Sequence, residues 1–296
     1  PKSFQGCFIK WMKRYQIDLK QGVIAIDGKT SRRSYDGKGK ALHVVSAFAS
    51  EKRLVLTQEK VSEKRNEITA IKAILEWLDV KGGMVTIDAM GCQTDIADTI
   101  VEKGGDYLLG LKGIQGTLHD DVKVFFESDR LHSESTTPLK TFSTLEKGHG
   151  RIEKRTCCVC TDVLWLTERH PRWKSISAIV QVESERQLAK HTTRETRYFI
   201  TSRAADAEAM LQTSRSHWAV ENSLHWVLDM SFGDDQSRIR KDNAPMNMAI
   251  LKHMTLNMIR HAKAKSTRLS VRRMRKLAGW QDSILTEIIS QNLDSI

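Results

Sequence analysis

Apolar residues fall in short unbroken runs through the first third of the chain and at helical spacing through the last third, so two kinds of layer are expected. Val23-Ile24-Ala25-Ile26, followed by Asp27-Gly28, predicts a buried strand over 23–28 that stops at a turn. Strands over 42–49 and 53–60, separated by Ser50-Glu51-Lys52, predict an antiparallel meander. Between 66 and 78 the apolar positions Ile68, Ile71, Ile74, Leu75 and Leu78 follow a helix. After Gly82-Gly83, Met84-Val85-Thr86-Ile87-Asp88-Ala89 predicts a second strand ending in Ile-Asp. A helix over 93–103 and a strand over 106–111 complete an α/β layer with a mixed sheet.

The texture then changes. A helix near 116–126 is followed by a polar stretch through Glu146-Lys147-Gly148-His149-Gly150-Arg151 and by strand-like pieces over 153–161, 175–185 and 195–201, which predict a β-rich insertion. Helices are expected over 204–213, 215–229, 244–262, 268–278 and 281–291, with Gly233-Asp234-Asp235-Gln236-Ser237 as a loop. Phe4, Phe8, Trp11, Met12 and Tyr15 predict a short leading helix. The expected organisation is a lead-in over 1–21, a first core part over 22–128, the insertion over 129–203, a second core part over 204–262 and a basic helical tail over 263–296. The chain starts at Pro1 and not at a methionine, from which a preceding N-terminal region is expected.

Composition narrows the class. The 296 residues are 40% hydrophobic with 4 prolines, as in a soluble globular protein, and neither a run of about 18 apolar residues nor a basic-then-apolar leader is present. Residues 238–276 carry twelve Lys or Arg against one acid, Asp242, which accounts for the whole net charge of +11. A basic region on a balanced body predicts a polyanionic partner, most often nucleic acid, against the blander reading of a solvated helical face. Five cysteines fit a reducing cytoplasm. Cys157 and Cys160 lie on an alternating segment that turns them to opposite faces, with no second pair to complete a zinc site, and they read as small buried hydrophobes.

Three acids carry the candidate chemistry. Asp27 and Asp88 each follow an Ile at the end of a strand, and neighbouring strands, about 4.8 Å apart, would bring both carboxylates to one edge. That spacing suits two Mg²⁺ ions about 3.5–4 Å apart. Glu221, on the predicted helix 215–229, would close the site, with Trp218, Leu224, Trp226 and Val227 docking the helix; Asp229, Asp234 and Asp235 compete for that third role. His217, Glu221 and His225, four residues apart, could instead hold Zn²⁺. Phosphodiesters also need cations, for which Lys29, Arg32, Arg33, Lys112, Arg151, Arg238, Arg240 and Lys241 are candidates. Gly37-Lys38-Gly39-Lys40 lacks the length and the following Ser/Thr of a P-loop.

Asp27-Gly28-Lys29-Thr30, His43-Val44-Val45-Ser46-Ala47, Ile87-Asp88-Ala89 with Cys92-Gln93, Gly105-Asp106-Tyr107-Leu108-Leu109 with Lys112-Gly113, His149-Gly150-Arg151, and His217-Trp218 with Glu221-Asn222 and His225-Trp226 recur in order along nearly the whole chain. Together they resemble the H-repeat-associated proteins, insertion-sequence transposases of the DDE class. The resemblance implies an RNase H-like core with a β-rich insertion before the last acid, and Asp27, Asp88 and Glu221 in the three acid roles. It further implies Mg²⁺, with Mn²⁺ as substitute, and DNA cleavage and strand transfer. The partners it implies are double-stranded terminal inverted repeats and target DNA, bound by a dimer in the cytoplasm or on the nucleoid. Related proteins that have kept the fold but lost activity, or that cut without joining, are the rival expectations. Three positions depart from the family pattern: Ile114 replaces a polar residue beside the fifth strand, His217 stands where an arginine is usual four residues before the acid, and Leu228 stands where a phosphate-binding lysine is usual, a role Arg238 or Arg240 could take.

Overall fold

The apolar runs become strands and the periodic stretches helices in the computed structural model, which describes residues 2–290 except 16, 18, 36–39, 62–65, 132–138, 149, 190, 205 and 267–268, with side chains also excepted at 129–131 and 263–266. His149 and the Gly37-Lys38-Gly39 stretch lie outside the described residues. In chain order the elements are α1 (Lys2–Lys13), β1 (Val23–Ser31), β2 (Leu42–Ala49), β3 (Leu54–Lys60), α2 (Glu67–Trp77), β4 (Met84–Ile87), α3 (Thr94–Glu102), β5 (Asp106–Leu111), α4 (Thr117–Leu131), β6 (Lys140–Gly148), β7 (Arg151–Cys160), α5 (Leu164–Arg169), β8 (Ala178–Leu188), β9 (Thr192–Thr201), α6 (Ala207–His217), α7 (Trp226–Phe232), α8 (Ala244–Ser266), α9 (Val271–Ala278) and α10 (Asp282–Ser290). They form two compact units: Pro1–Asp79 with Trp218–Ile296, and Val80–His217.

In the first unit β3, β2 and β1 form an antiparallel meander. Phe8 and Met12 of α1, Val44 and Phe48 of β2, Val55 of β3, and Val220, Leu224, Leu228, Ile250 and Leu256 from the C-terminal segment share one core. At about 25 cal/mol per Å² of apolar area, this burial is the main force holding the two chain segments together. The exposed edge of β3 is blunted locally. Buried Asn257 of α8 accepts from the Val55 N–H at 3.0 Å and donates to the Val55 carbonyl at 2.8 Å, satisfying both backbone groups. A smaller cluster of Ile259, Ala262, Met274 and Ile288 ties α8 to α9 and α10.

In the second unit β4 and β5 run parallel with α3 between them in sequence, and β9, β8, β7 and β6 extend from β5 as antiparallel neighbours. Met84, Leu108, Val159, Val180, Ala207, Met210 and Leu211 pack α6 onto the sheet. Cys157 and Cys160 are buried, as their apolar reading requires. β6 is absent from the sequence expectation because its alternation is polar on both faces, so it carries no strand-like apolar face. Its pairing with β7 and the ion pairs of Glu146 with Arg155 and Arg215 compensate. The six-residue α5 was likewise too short to show a period. Among the described residues no helix is long and apolar enough to cross a membrane.

Candidate active site

Asp27 lies inside β1 and not at its end. The Asp27-Gly28 pair predicted a turn, but β2 pairs with β1 as far as Ser31 opposite Leu42, so the backbone continues as strand. Alternation then turns Asp27, Lys29 and Ser31 to one face and Gly28 and Thr30 to the other.

Gly28 is required by a close approach on that second face. A Cβ there would stand 2.6 Å from Glu67 Oε1 and 2.7 Å from His43 Nε2. Those two atoms are 2.5 Å apart, and His43 Nδ1 lies 2.7 Å from Thr30 Oγ1, so neither side chain can move without losing a hydrogen bond. Gly28→Ala is expected to lower unfolding free energy by about 1–3 kcal/mol, checked by urea denaturation.

The segment carrying Glu221 also differs from its expectation. The continuous helix predicted over 215–229 ends as α6 at His217, and Val220–His225 forms a π-helical turn before α7. Within it the Trp226 N–H reaches the Glu221 carbonyl, an i to i−5 bond. Trp218 and Trp226, predicted to dock the helix, are exposed; Leu224 and Val227 dock it as predicted, joined by Val220 and Leu228. Half-buried Arg260 donates from its guanidinium to the carbonyl of Ser223 within the π turn and to that of Arg53, and lies over the Phe48 ring. Burial, with Arg53 nearby, pushes its pKa down to about 9, so Arg260 remains a cation at neutral pH.

This geometry brings Glu221 to Asp27. One ligand atom each from Asp27, Glu221 and His225 lie within 4.8 Å of one another. His225 Nδ1 is 3.4 Å from Glu221 Oε2 and 3.9 Å from Asp27 Oδ2, and the histidine side chain is only 5% exposed. The Asp27 Oδ1 accepts from the Gly28 N–H at 2.9 Å. His217, the other member of the zinc alternative, is not part of this group; its Nδ1 lies 3.0 Å from Thr86 Oγ1 in the second unit.

Asp88 belongs to that second unit. It follows β4 and caps the short 3₁₀ turn Ala89–Gly91, its Oδ1 accepting from the N–H groups of Met90 at 3.0 Å and Gly91 at 3.4 Å. Gln115 steadies the turn by donating to the Ala89 carbonyl at 2.6 Å, while its Oε1 accepts from the Lys112 N–H at 2.8 Å. A polar contact beside β5 is thus made by Gln115 although Ile114 is exposed.

The rival acids have cations of their own. Lys29 Nζ donates to Asp229 at 2.9 Å and to Asp235 at 3.2 Å. Lys252 donates to Asp234 at 2.6 Å, and the Ser31 hydroxyl donates to the same carboxylate at 2.7 Å. Lys29, expected at a DNA phosphate, has its ammonium held between two carboxylates, with 12% of the side chain exposed. Arg32 is exposed and reaches Asp235. Arg240 donates to the Arg33 carbonyl and lies over Tyr35. Arg238 and Lys241 are exposed beside it, and in the second unit Lys112 is exposed and Arg151 pairs with Glu153.

His225 was named only in the Zn²⁺ alternative, and Arg260 was not among the candidate residues. The i, i+4 spacing of Glu221 and His225 was visible, whereas the contact of Arg260 with Ser223 spans 37 residues and has no local sign.

The "Transposase DDE domain" family matches residues 9–258. The "H repeat-associated putative transposase YhhI" of Escherichia coli K12 is 40% identical over 284 residues, 94% of this chain and 74% of that protein. The "Putative transposase YncI" of Escherichia coli O157:H7 is 40% identical over 293 residues, 97% of this chain and 74% of that protein. A cryo-EM structure of piggyBac transposase in a synaptic complex with hairpin DNA superposes with a TM-score of 0.51 at 9% identity, covering 96% of this chain and 55% of that one. The likeness gives the RNase H-like fold class.

Proposed function

The chain belongs to the DDE transposase family, DNA-processing enzymes, and from that premise we propose that it cuts DNA phosphodiesters and transfers strands of an insertion-sequence-like element, using Asp27, Asp88 and Glu221 with Mg²⁺ or Mn²⁺. The observation that carries this reading is the meeting of Asp27 of β1 with Glu221 of the π turn, far apart in sequence, beside a buried histidine. Half-buried and exposed carboxylates are the oxygen donors that such ions take. Bound there, a divalent ion supplies acidity to a water or 3′-hydroxyl and neutralises charge at the scissile phosphate.

The chain's own residues do the rest. β1 and the π turn hold two carboxylates on rigid elements, and Asp88, by its place in the family's motif, supplies the third acid. Arg32, Arg33, Arg238, Arg240 and Lys241 of the first unit and Lys112 and Arg151 of the second neutralise backbone phosphates, making binding strongly salt-dependent. The DNA partner accords with the synaptic complex of the piggyBac protein. Two element ends require two copies, so the DNA-bound form is a dimer, acting on nucleoid DNA in the cytoplasm.

The experiment is product analysis after incubation with Mn²⁺ or Mg²⁺, labelled element-end DNA and a plasmid target. Joined products are expected. Cleaved ends without joining identify a nuclease, and retained binding with intact DNA identifies an inactive relic.

A further inference from the structure

Beyond its carboxylates the Asp27–Glu221 group contains a side chain that the three-acid pattern does not use. His225 is 4% exposed, and its Nε2 is buried without a hydrogen-bond partner among the described residues. Its Nδ1 makes no well-formed hydrogen bond either; it stands 3.4 Å from one carboxylate oxygen and 3.9 Å from another. A buried imidazole left so poorly satisfied is destabilising, since most buried polar groups are paired. A ring nitrogen aimed between two carboxylates is, however, placed as a metal ligand is. Adjacent donors on an octahedral ion of this size are about 3 Å apart and opposite ones about 4.2 Å. The observed separations fall in the span that a single ion draws together.

Resting on the reading of Asp27 and Glu221 as metal ligands, we infer that His225 is a direct nitrogen ligand, through Nδ1, of the ion they hold. Ligation through Nδ1 leaves the proton on Nε2. His225 also lines, with Ser46, Leu228, Asp234, Lys252 and His253, a cavity of about 10 Å³ with mixed polar and apolar walls, near the size of one water. A water held there would accept from the Nε2–H and fix the orientation of the ligating imidazole.

A nitrogen donor changes which ion is preferred. Mg²⁺ favours oxygen donors alone, whereas imidazole raises affinity for transition ions. The site should therefore rank Mn²⁺ above Mg²⁺ by more than an all-carboxylate site would. Burial of the ring in the core beside Leu224 and Leu228 also means that this preference is built into the fold and not into a mobile surface group.

The test uses the full chain with Mn²⁺, in calorimetry and pulsed electron paramagnetic resonance. In the parent protein, directly bound ¹⁴N coupling is expected, changing to the ¹⁵N pattern when histidine is ¹⁵N-labelled. His225→Gln is expected to retain one bound Mn²⁺, lose that coupling, weaken Mn²⁺ roughly tenfold and weaken Mg²⁺ much less. Mn²⁺ bound without nitrogen coupling in the parent, or coupling that survives in His225→Gln, overturns the assignment. The parent spectrum needs no variant to fold. Asp27→Asn and Glu221→Gln separate the two levels: if neither weakens Mn²⁺, the carboxylate site itself is wrong and His225 falls with it. If both weaken it while nitrogen coupling is absent, only the histidine ligand is lost.

Discussion

Asp27→Asn, Asp88→Asn and Glu221→Gln are each expected to slow single-turnover cleavage of element-end DNA by on the order of 10³-fold while leaving unfolding free energy within about 1 kcal/mol of the parent. The rate follows from charge. A metal site supplies several kcal/mol of stabilisation to the charge that develops at a phosphate, and each 1.4 kcal/mol is a factor of ten. The small change in stability follows from geometry. Glu221 has half of its side chain in solvent, and Gln preserves its shape. Asp88 is a cap, and Asn caps a helical turn about as well as Asp, so the bonds from Met90 and Gly91 survive while the charge does not. A drop in rate at Asp88 cannot then be attributed to a loosened turn. Undiminished cleavage in any of the three variants would remove that residue from the acid set, and gel analysis under single-turnover conditions with matched denaturant curves measures both quantities.

Particular residues show what could be read without a structure. The strands over 42–49 and 106–111 were legible to their ends, because most of their residues are buried and an apolar run bounded by polar residues marks such a strand. β6 was invisible for the converse reason, being exposed along most of its length. Glu221 was found through the motif around it, but the π turn was not, since an extra residue per turn leaves no mark in a pattern read at 3.6 residues. Beside that turn Trp218 and Trp226, expected to dock the helix, are exposed, whereas Leu224 is buried as expected. Lys29 shows the deeper limit. Its sequence neighbours suggested a phosphate, whereas its partners Asp229 and Asp235 lie 200 and 206 residues away. Non-local pairing decides the role of a charge, and spacing along the chain does not reveal it.

Asp234→Ala is expected to lower unfolding free energy by about 3–5 kcal/mol, the largest loss of stability among these substitutions. Asp234 and Lys252 are 8% and 11% exposed as side chains, so removing the carboxylate leaves a buried ammonium without its partner and frees the Ser31 hydroxyl as well. Lys252→Met should cost a similar amount. The pair together with Ala and Met should recover much of it, because no charge is then left buried alone, and the double-mutant cycle reads that recovery. The pH dependence has a definite sign. Burial raises the Asp234 pKa, but Lys252, Ser31 and Lys29 outweigh it and hold the group below its ordinary 3.8. Its contribution is therefore complete above 3.8 and is lost as pH falls through the lower folded value. Burial likewise opposes the Lys29 charge, but Asp229 and Asp235 raise its pKa above 10.5, so that contribution is complete below 10.5 and is lost at higher pH. Between those limits the difference between parent and Asp234→Ala should stay flat, and below 3.8 it should shrink. A difference that instead varies through neutral pH would place the stabilising contact on another group. The consequence for function is mechanical: Lys29 and Asp27 share one face of β1, and Asp229 lies eight residues beyond Glu221, so the Lys29–Asp229 bond fastens the strand that bears one acid to the segment that bears the other.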